Sequence, residues 1–246
     1  MTASLWLVVP AFNEEQRLGQ TLTALASQQD LDFSLIVVDN GSTDRTAALA
    51  QDFASVAPFP VVVLTESEPG TGSAVDTGMR FAMDSGADFL ARTDADCLPS
   101  PTWTREARQA LGSGIELAAG KVVARHDEHG LLGRAVFRCL VMLAATFGRV
   151  RPANRGRQYR QPYVMHAGNN MAITAGLYQA CGGMPRRPSP TDHMFLNRAR
   201  LHSDHIRRVN TMVVANSSRR LRSYGIVGTA RWYLERGDAG QGVNVR

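Results

Sequence analysis

The sequence predicts an α/β protein with a doubly wound parallel sheet, and three observations support that fold class. Within the first hundred residues, a short apolar run alternates four times with a segment whose apolar residues recur at helical spacing. The apolar runs are nearly continuous, as in strands buried on both faces. Polar or glycine-containing turns separate the runs from the helical segments. Such alternation favours parallel strands joined by right-handed crossovers.

The first half of the chain accounts for four strands of this sheet. Pro10 ends the first strand, and the turn at residues 39–41 (DNG) ends the second. Ser42 or Thr43 is expected to cap the helix that follows and runs to about residue 56. The predicted strands span residues 5–9, 34–38, 60–64 and 88–91.

The second half is less regular, and its elements are predicted one by one. Strands are expected at residues 116–124 and 209–215, and helices at 131–147, 174–180, 191–201 and 224–235. The polar stretch at 150–163 is expected to form an arginine-rich loop. For the amphipathic helix at 131–147 we favour a core or homodimer contact, with a peripheral membrane contact as the alternative.

Composition and charge narrow the class of protein. The net charge is +5, nearly all of it from arginine, which indicates a phosphorylated ligand, nucleic acid or an anionic membrane as partner, or a bias of the source genome. The three cysteines are widely spaced and imply neither a zinc site nor a disulfide framework. The N-terminus shows no secretory signal pattern, so a cytoplasmic protein is expected.

The pair Asp94 and Asp96 is the leading candidate for a metal site. Two carboxylates separated by one residue can approach the same hard cation, and Mg²⁺ or Mn²⁺ would share them with diphosphate oxygens. A D-x-D spacing alone is weak, because it also arises on solvated turns. Here it follows the fourth predicted strand, and parallel strands carry ligand sites beyond their carboxyl ends.

Polar residues that follow the first two predicted strands are expected at the same edge of the sheet as Asp94 and Asp96, where the parallel strands end. Asp39 is either a turn residue or an acceptor for a base N–H or a ribose hydroxyl. Phe12 is either a core aromatic or a platform for a base, and Glu14 is either a first-turn helix acid or a ribose ligand. We expect these residues to converge with Asp94 and Asp96 on one crevice.

Together, three motifs resemble glycosyltransferase family 2, which has the GT-A fold. They are residues 8–15 (VVPAFNEE), 36–44 (IVVDNGSTD) and 93–96 (TDAD), and the resemblance extends over roughly residues 4–222. It implies a mostly parallel mixed sheet flanked by helices. It divides the chain into a nucleotide-binding half at 1–100, an acceptor-binding half at 101–222, and a C-terminal helix and tail at 223–246.

The resemblance also implies roles for individual residues. Asp96 would be the main metal ligand, and Asp94 would face the metal or the ribose. Asp192 would be the catalytic base, in a place where Thr191 replaces the family's usual Glu. The nucleotide would be lined by Pro10, Ala11, Phe12, Glu14, Asp39, Asp94 and Ala95, and the sugar and acceptor pocket by Gly168, Asn169 and Asn170.

Some features depart from the family pattern or leave its site incomplete. The helix after Gly70 lacks the basic residue that often reaches the diphosphate, so another cation is needed; the candidates are Arg92, Arg155, Arg157, Arg219 and Arg220. His193 or His205 is an alternative third metal ligand, although a surface histidine is the simpler interpretation. The sequence contains Arg231-Trp232 but lacks the Gln of the Q-x-x-R-W motif, which argues against a processive synthase.

The expected function is metal-dependent, inverting transfer of one sugar from a nucleotide-diphosphate sugar, preferably a UDP-sugar, to a hydroxyl acceptor. The acceptor would be a small molecule, a glycan or a lipid-linked group. One alternative is a retaining enzyme that acts on a small phosphorylated acceptor. Another is a non-catalytic protein that binds nucleotide-sugar or nucleic acid, but the acidic crevice and the few aromatics near the arginines argue against nucleic acid.

Overall fold

The computed structural model describes residues 3–126, 131–164, 167–186 and 191–217. The predicted helix at 224–235, the tail at 223–246, Arg219, Arg220 and Arg231-Trp232 lie outside the described residues. Within the described residues, no helix is both long enough and apolar enough to cross a membrane.

One eight-stranded mixed sheet forms the centre of the protein, with strand order β3-β2-β1-β4-β7-β6-β8-β5. The pairs among β1 to β4 are parallel, whereas β7 runs antiparallel to both of its neighbours, β4 and β6. The strands are β1 (Leu5–Ala11), β2 (Ser34–Asp39), β3 (Val61–Thr65), β4 (Phe89–Thr93), β5 (Cys97–Pro99), β6 (Leu117–Ala124), β7 (Asn170–Thr174) and β8 (Ile206–Asn216).

Helices cover both faces of the sheet, and the alternation of side chains along β1 shows how. Leu7 and Val9 belong to an apolar cluster with α1, α2 and α4, whereas Val8 belongs to a second cluster with α3, α6 and α7. The helices are α1 (Leu18–Ala26), α2 (Thr46–Ala54), α3 (Thr71–Asp84), α4 (Trp103–Gly112), α5 (Leu131–Val150), α6 (Ala175–Ala180) and α7 (Thr191–His202), with a 3₁₀ turn at Pro152–Asn154.

The predicted fold class is confirmed: the protein is α/β, with a mostly parallel mixed sheet between layers of helices. Three elements were not predicted from the sequence, namely β5, α4 and β7. The strand β5 has only three residues, and β7 lies in a segment that the sequence analysis interpreted as the floor of a pocket.

The prediction that Ser42 or Thr43 caps the second helix was wrong. The helix α2 begins at Thr46, and Asp44 Oδ1 accepts a hydrogen bond from the Thr46 amide at 2.9 Å.

Close packing of α3 on the sheet depends on Gly78. A Cβ atom at this position would lie 2.6 Å from Val8 Cγ1 and 3.0 Å from Val38 Cγ2, both on buried strands. We therefore expect Gly78→Ala to lower the free energy of unfolding by about 1–3 kcal/mol, the usual cost of overpacking. Urea denaturation followed by circular dichroism measures this change.

The control for that substitution is Gly19→Ala in α1, where nothing lies within 4 Å of an added Cβ. Alanine restricts the unfolded chain and suits a helix, so this variant should be stabilised by up to about 1 kcal/mol. Equal midpoints for the two variants would contradict the packing that we describe between α3 and the sheet.

Candidate active site

The carboxyl ends of the parallel strands bring the predicted motifs to one edge of the sheet. Ala11 at the end of β1 is in register with Asp39 at the end of β2. Thr93 at the end of β4 is in register with Asn170 at the start of β7. Because strand order reverses direction between β1 and β4, this edge is the switch point at which open α/β sheets bind ligands.

Hydrogen bonds join the loop after β1 to the loop after β2. Asn13 has a positive φ of 52°, a conformation that asparagine tolerates better than most residues. Its amide donates to Ser42 Oγ at 2.9 Å, and its Oδ1 accepts from the Thr43 amide at 2.9 Å. The Glu14 amide donates to Thr46 Oγ1 at 2.8 Å. The two loops therefore form one preorganised wall, which carries Phe12, Glu14 and Asp39.

Asp39 has a buried acceptor available to a ligand. Its Oδ2 accepts a hydrogen bond from the Ser42 amide at 3.2 Å. Its Oδ1 is buried and has no hydrogen-bonding partner among the residues that the structure describes. A buried carboxylate oxygen without a donor is costly, so this atom favours a ligand that brings an N–H or O–H group.

A buried ion-pair cluster connects β4 to α7. The guanidinium of Arg92 is almost fully buried. Its Nη1 lies 2.8 Å from Asp192 Oδ1, and its Nη2 and Nε lie 3.0 and 3.1 Å from Asp94 Oδ1. Burial alone would lower the pKa of Arg92, but the two carboxylates raise it above its ordinary value. Arg92 is therefore a fixed positive charge between Asp94 and Asp192.

Gly168 and the start of α7 fix the position of Asp192. A Cβ atom at Gly168 would lie 2.3 Å from the carboxylate atoms of Asp192, so only glycine leaves room for that side chain. Asp192 stands in the first turn of α7, where the helix dipole favours a negative charge. Gly168, predicted from the family resemblance, thus lies directly against the predicted catalytic base.

The turn before α7 is held by a buried carboxylate on α3. Asp76 Oδ1 accepts hydrogen bonds from the Tyr178 hydroxyl at 3.0 Å and from the Met184 amide at 3.1 Å. Arg80 pairs with Asp76 Oδ2 at 2.8 Å. These bonds hold the segment through Met184 against α3, which limits where α7 and Asp192 can lie.

Three carboxylates, those of Asp94, Asp96 and Asp192, lie close enough to influence one another. Burial raises the pKa of the Asp94 carboxyl, and the carboxylates of Asp96 and Asp192 raise it further, although Arg92 opposes them. A divalent cation bound to Asp94 and Asp96 would offset this repulsion. Among the described residues, however, no three or more His, Cys, Asp and Glu side chains form a group that could hold a metal ion by themselves.

That donor set fits a cation that shares its ligands with the substrate. Mg²⁺ usually binds through one or two carboxylates and takes its other ligands from phosphates and water. Asp96 is buried and Asp94 is partly exposed, so a diphosphate can complete the coordination on the exposed side. The residues present therefore fit a divalent metal that arrives with a nucleotide diphosphate.

His193 and His205, the two candidates for a third metal ligand, lie in different parts of the fold. His193 Nε2 lies 2.7 Å from Asn154 Oδ1, a residue of the loop after α5. His205 precedes β8, whose other end, Asn216, pairs with Cys97 beside Asp96. The 11 residues of β8 separate them by roughly 30 Å, so His205 is not a ligand of this site.

Asn170 forms hydrogen bonds within the core of the protein. Its side chain is fully buried, and its Oδ1 accepts from Trp103 Nε1 at 2.8 Å. Its Nδ2 donates to the carbonyl oxygens of Lys121 and Met212 at 2.9 and 3.0 Å. The predicted place of Asn170 in the sugar and acceptor pocket stays a prediction. Asn169 differs, because its buried Oδ1 has no hydrogen-bonding partner in the described part of the chain.

Arg125 is a residue of this edge that sequence reasoning missed. It follows β6, is buried, and its Nη1 lies 3.4 Å from the carbonyl oxygen of Asp96. No local motif marks Arg125, since only the pairing of β6 with β8 brings it beside Asp96.

Two of the cations expected from the sequence are bonded to other protein groups. Arg92 is paired with Asp94 and Asp192, and Arg155 donates to the Arg149 carbonyl oxygen at 3.0 Å.

Comparison with known proteins agrees with this geometry. The family model described as glycosyl transferase family 2 matches residues 6–175. By structure, the chain is similar to S. aureus TarS 1-349 in complex with UDP-GlcNAc, with a TM-score of 0.66, 15% identity, and coverage of 96% of this chain and 68% of that one. The fold is therefore that of the GT-A glycosyltransferases, and the chain belongs to glycosyl transferase family 2.

Two further proteins bear on the ligands. The mannosyltransferase PcManGT from Pyrobaculum calidifontis, in complex with GDP-Man and Mn²⁺, has a TM-score of 0.60 at 18% identity and covers 98% of this chain and 66% of its own. Glycosyltransferase AglE of Haloferax volcanii is 30% identical over 127 residues, which are 50% of this chain and 41% of AglE. The chain thus spans less than half the length of this curated relative.

Proposed function

We propose that the protein is a metal-dependent, inverting glycosyltransferase that moves one sugar from a nucleotide-diphosphate sugar to a hydroxyl acceptor. The observation that carries this proposal is the cluster of Asp94, Arg92 and Asp192. In this cluster, a candidate base on α7 and a candidate metal ligand directly after β4 lie on either side of one buried guanidinium. A UDP-sugar is the favoured donor, and Mg²⁺ or Mn²⁺ the favoured metal.

The donor would bind against the wall formed by the loops after β1 and β2. Asp39 Oδ1, buried and open to a donor group, suits the N–H group of a uracil ring. Phe12 and Glu14 stand on the same wall, next to the base and ribose positions expected for the family. Pro10, Ala11 and Ala95 contribute backbone and small side chains that allow the nucleotide to approach closely.

The chemistry follows from charges held in place before the substrate arrives. When bound, a divalent metal at Asp94 and Asp96 would neutralise the charge that develops on the departing diphosphate. Asp192, which pairs with Arg92, is the carboxylate that would remove the proton from an acceptor hydroxyl. Attack on the face opposite the leaving group inverts the anomeric carbon. Gly168 leaves free the space that the carboxylate of Asp192 occupies.

Binding and turnover of donors test the proposal. Thermal shift with UDP, GDP and their sugars, with and without Mn²⁺, should show strong stabilisation by one donor only when metal is present. A ligand at 100 times its Kd adds about 2.7 kcal/mol. Release of nucleoside diphosphate and the anomeric coupling of the product then establish transfer and inversion. No stabilisation by any nucleotide with metal would refute the proposal.

Asp39→Ala should weaken donor binding more than it changes turnover of the bound donor. The substitution removes the acceptor proposed for the base, and a hydrogen bond to a charged group is worth about 1.5–3 kcal/mol. We therefore expect the Kd of UDP with Mn²⁺ to rise roughly 10- to 100-fold by isothermal titration calorimetry. Asp52→Ala, at an exposed position on α2, is the matched control. Equal affinities in the two variants would rule out the role of Asp39.

A further inference from the structure

A cavity of about 520 Å³ lies between α7 and the loop that follows α5. It is separate from the edge that carries Asp39 and Asp94. Most of its polar lining is cationic, and two tyrosines add aromatic surface; the residues used below are Arg149, Arg155, Arg160, Arg200, Tyr159 and Tyr163.

The chain that forms much of this cavity is rich in arginine. The stretch 131–164 contains no Asp or Glu but seven arginines, at positions 134, 138, 149, 151, 155, 157 and 160. Over the described ranges, none of Arg149, Arg155, Arg160 and Arg200 forms an ion pair with a carboxylate. Arginines that crowd one cavity repel each other unless an anion binds among them.

Arg200 is a buried charge at the base of this cavity. Its guanidinium donates to the carbonyl oxygens of Asn154 at 2.9 Å and Gln161 at 3.1 Å, and to Asn197 Oδ1 at 2.8 Å. It also lies 4.0 Å from the ring centroid of Tyr159. These neutral groups satisfy its N–H bonds without cancelling its charge, and burial lowers the pKa of Arg200. An anion in the cavity would remove this electrostatic cost.

The cavity adjoins the acceptor side of the proposed active site. Asn154, which lines it, contacts His193, the residue directly after Asp192. Arg200 lies eight residues after Asp192 on α7, which corresponds to about 12 Å of helix. An anionic group in the cavity and a hydroxyl at Asp192 can therefore belong to one acceptor molecule of modest size.

We propose that this cavity binds a phosphate group of the sugar acceptor. The proposal rests on the glycosyltransferase function above, because it assigns an acceptor to that reaction. Arginine forks match phosphate oxygens in a bidentate way, and the arginines of this cavity surround a volume large enough for such a group. The phosphate belongs either to a soluble molecule or to a lipid headgroup, since exposed Met142, Leu143, Phe147 and Val150 on neighbouring α5 would suit a bilayer surface.

Direct binding tests the cavity with two sources of phosphate. Glycerol 3-phosphate is titrated and followed by ³¹P NMR, and phosphatidylcholine vesicles with and without phosphatidic acid are tested by co-sedimentation. The variant Arg155→Gln/Arg160→Gln changes two exposed cavity residues, and Arg105→Gln/Arg208→Gln removes equal charge from exposed positions elsewhere. We expect one source to bind, with affinity reduced about tenfold or more in the cavity variant and unchanged in the control. The source that binds identifies the acceptor class.

Two results would overturn this inference: binding of neither phosphate source, or equal binding by the cavity variant and the control. Stabilisation by UDP with Mn²⁺ is measured on the same samples and separates the inference from the proposed function. Donor binding without phosphate binding would refute the cavity alone. Phosphate binding lost only in the cavity variant, but without donor binding, would support the anion site while refuting its role in sugar transfer.

Discussion

Asp192→Asn should reduce kcat about 10²- to 10⁴-fold, the range expected when a general base is removed. Asparagine keeps the size of the side chain and can still accept the hydrogen bond from Arg92, so the fold around Gly168 should be preserved. In our proposal the donor does not contact Asp192, so the KM of the donor should change little. Steady-state release of nucleoside diphosphate with saturating acceptor measures both quantities.

The control for Asp192 is Asp204→Asn, an exposed aspartate in the turn that follows α7. It should turn over at the rate of the parent protein. Parental turnover in Asp192→Asn would show that another group accepts the proton.

Asp96→Asn should abolish most metal-dependent turnover, with a loss of about 100-fold or more. Replacing a carboxylate by an amide removes charge from a hard-cation ligand, and metal contributions to leaving-group stabilisation amount to several kcal/mol. The expected signature is a rightward shift of the Mn²⁺ activation curve together with a lower maximum rate. Initial rates over a series of Mn²⁺ concentrations reveal both effects.

Asp84→Asn, an exposed position at the end of α3, serves as the matched control for Asp96. Chelation of the parent enzyme with EDTA should reproduce the loss, and added Mn²⁺ should restore activity. If EDTA has no effect and Asp96→Asn retains full activity, the reaction does not use a metal at this site.

The parallel half of the fold could be predicted because local pattern determines it. Leu7, Val8 and Val9 are buried whichever face they point to, and continuous apolar runs are typical of such strands. The convergence of Asp39 with Asp94 followed from the same logic, since parallel strands end at the same edge of a sheet. Sequence reasoning thus located the edge at which the proposed donor site lies.

The rest of the site depends on contacts that no local pattern encodes. Asn170 resembles a ligand residue in the sequence, but in the fold it joins Trp103, Lys121 and Met212 in the core. The link from Arg92 to Asp192 spans 100 positions, and the sequence presented Arg92 only as one of several cations. Such hydrogen bonds depend on which elements become neighbours in the folded chain, as β7 does between β4 and β6.

Asp94 and Asp192 share the guanidinium of Arg92, so that the charges of the two carboxylates are coupled. Any cation that draws charge from Asp94 changes the field that Arg92 exerts on Asp192, because both carboxylates bond the same buried group. In the proposed function, occupancy of the donor side would therefore reach the acceptor side through one side chain. Substitutions at Asp94 and Asp192 will not be additive, as expected for neighbours in one ionic network.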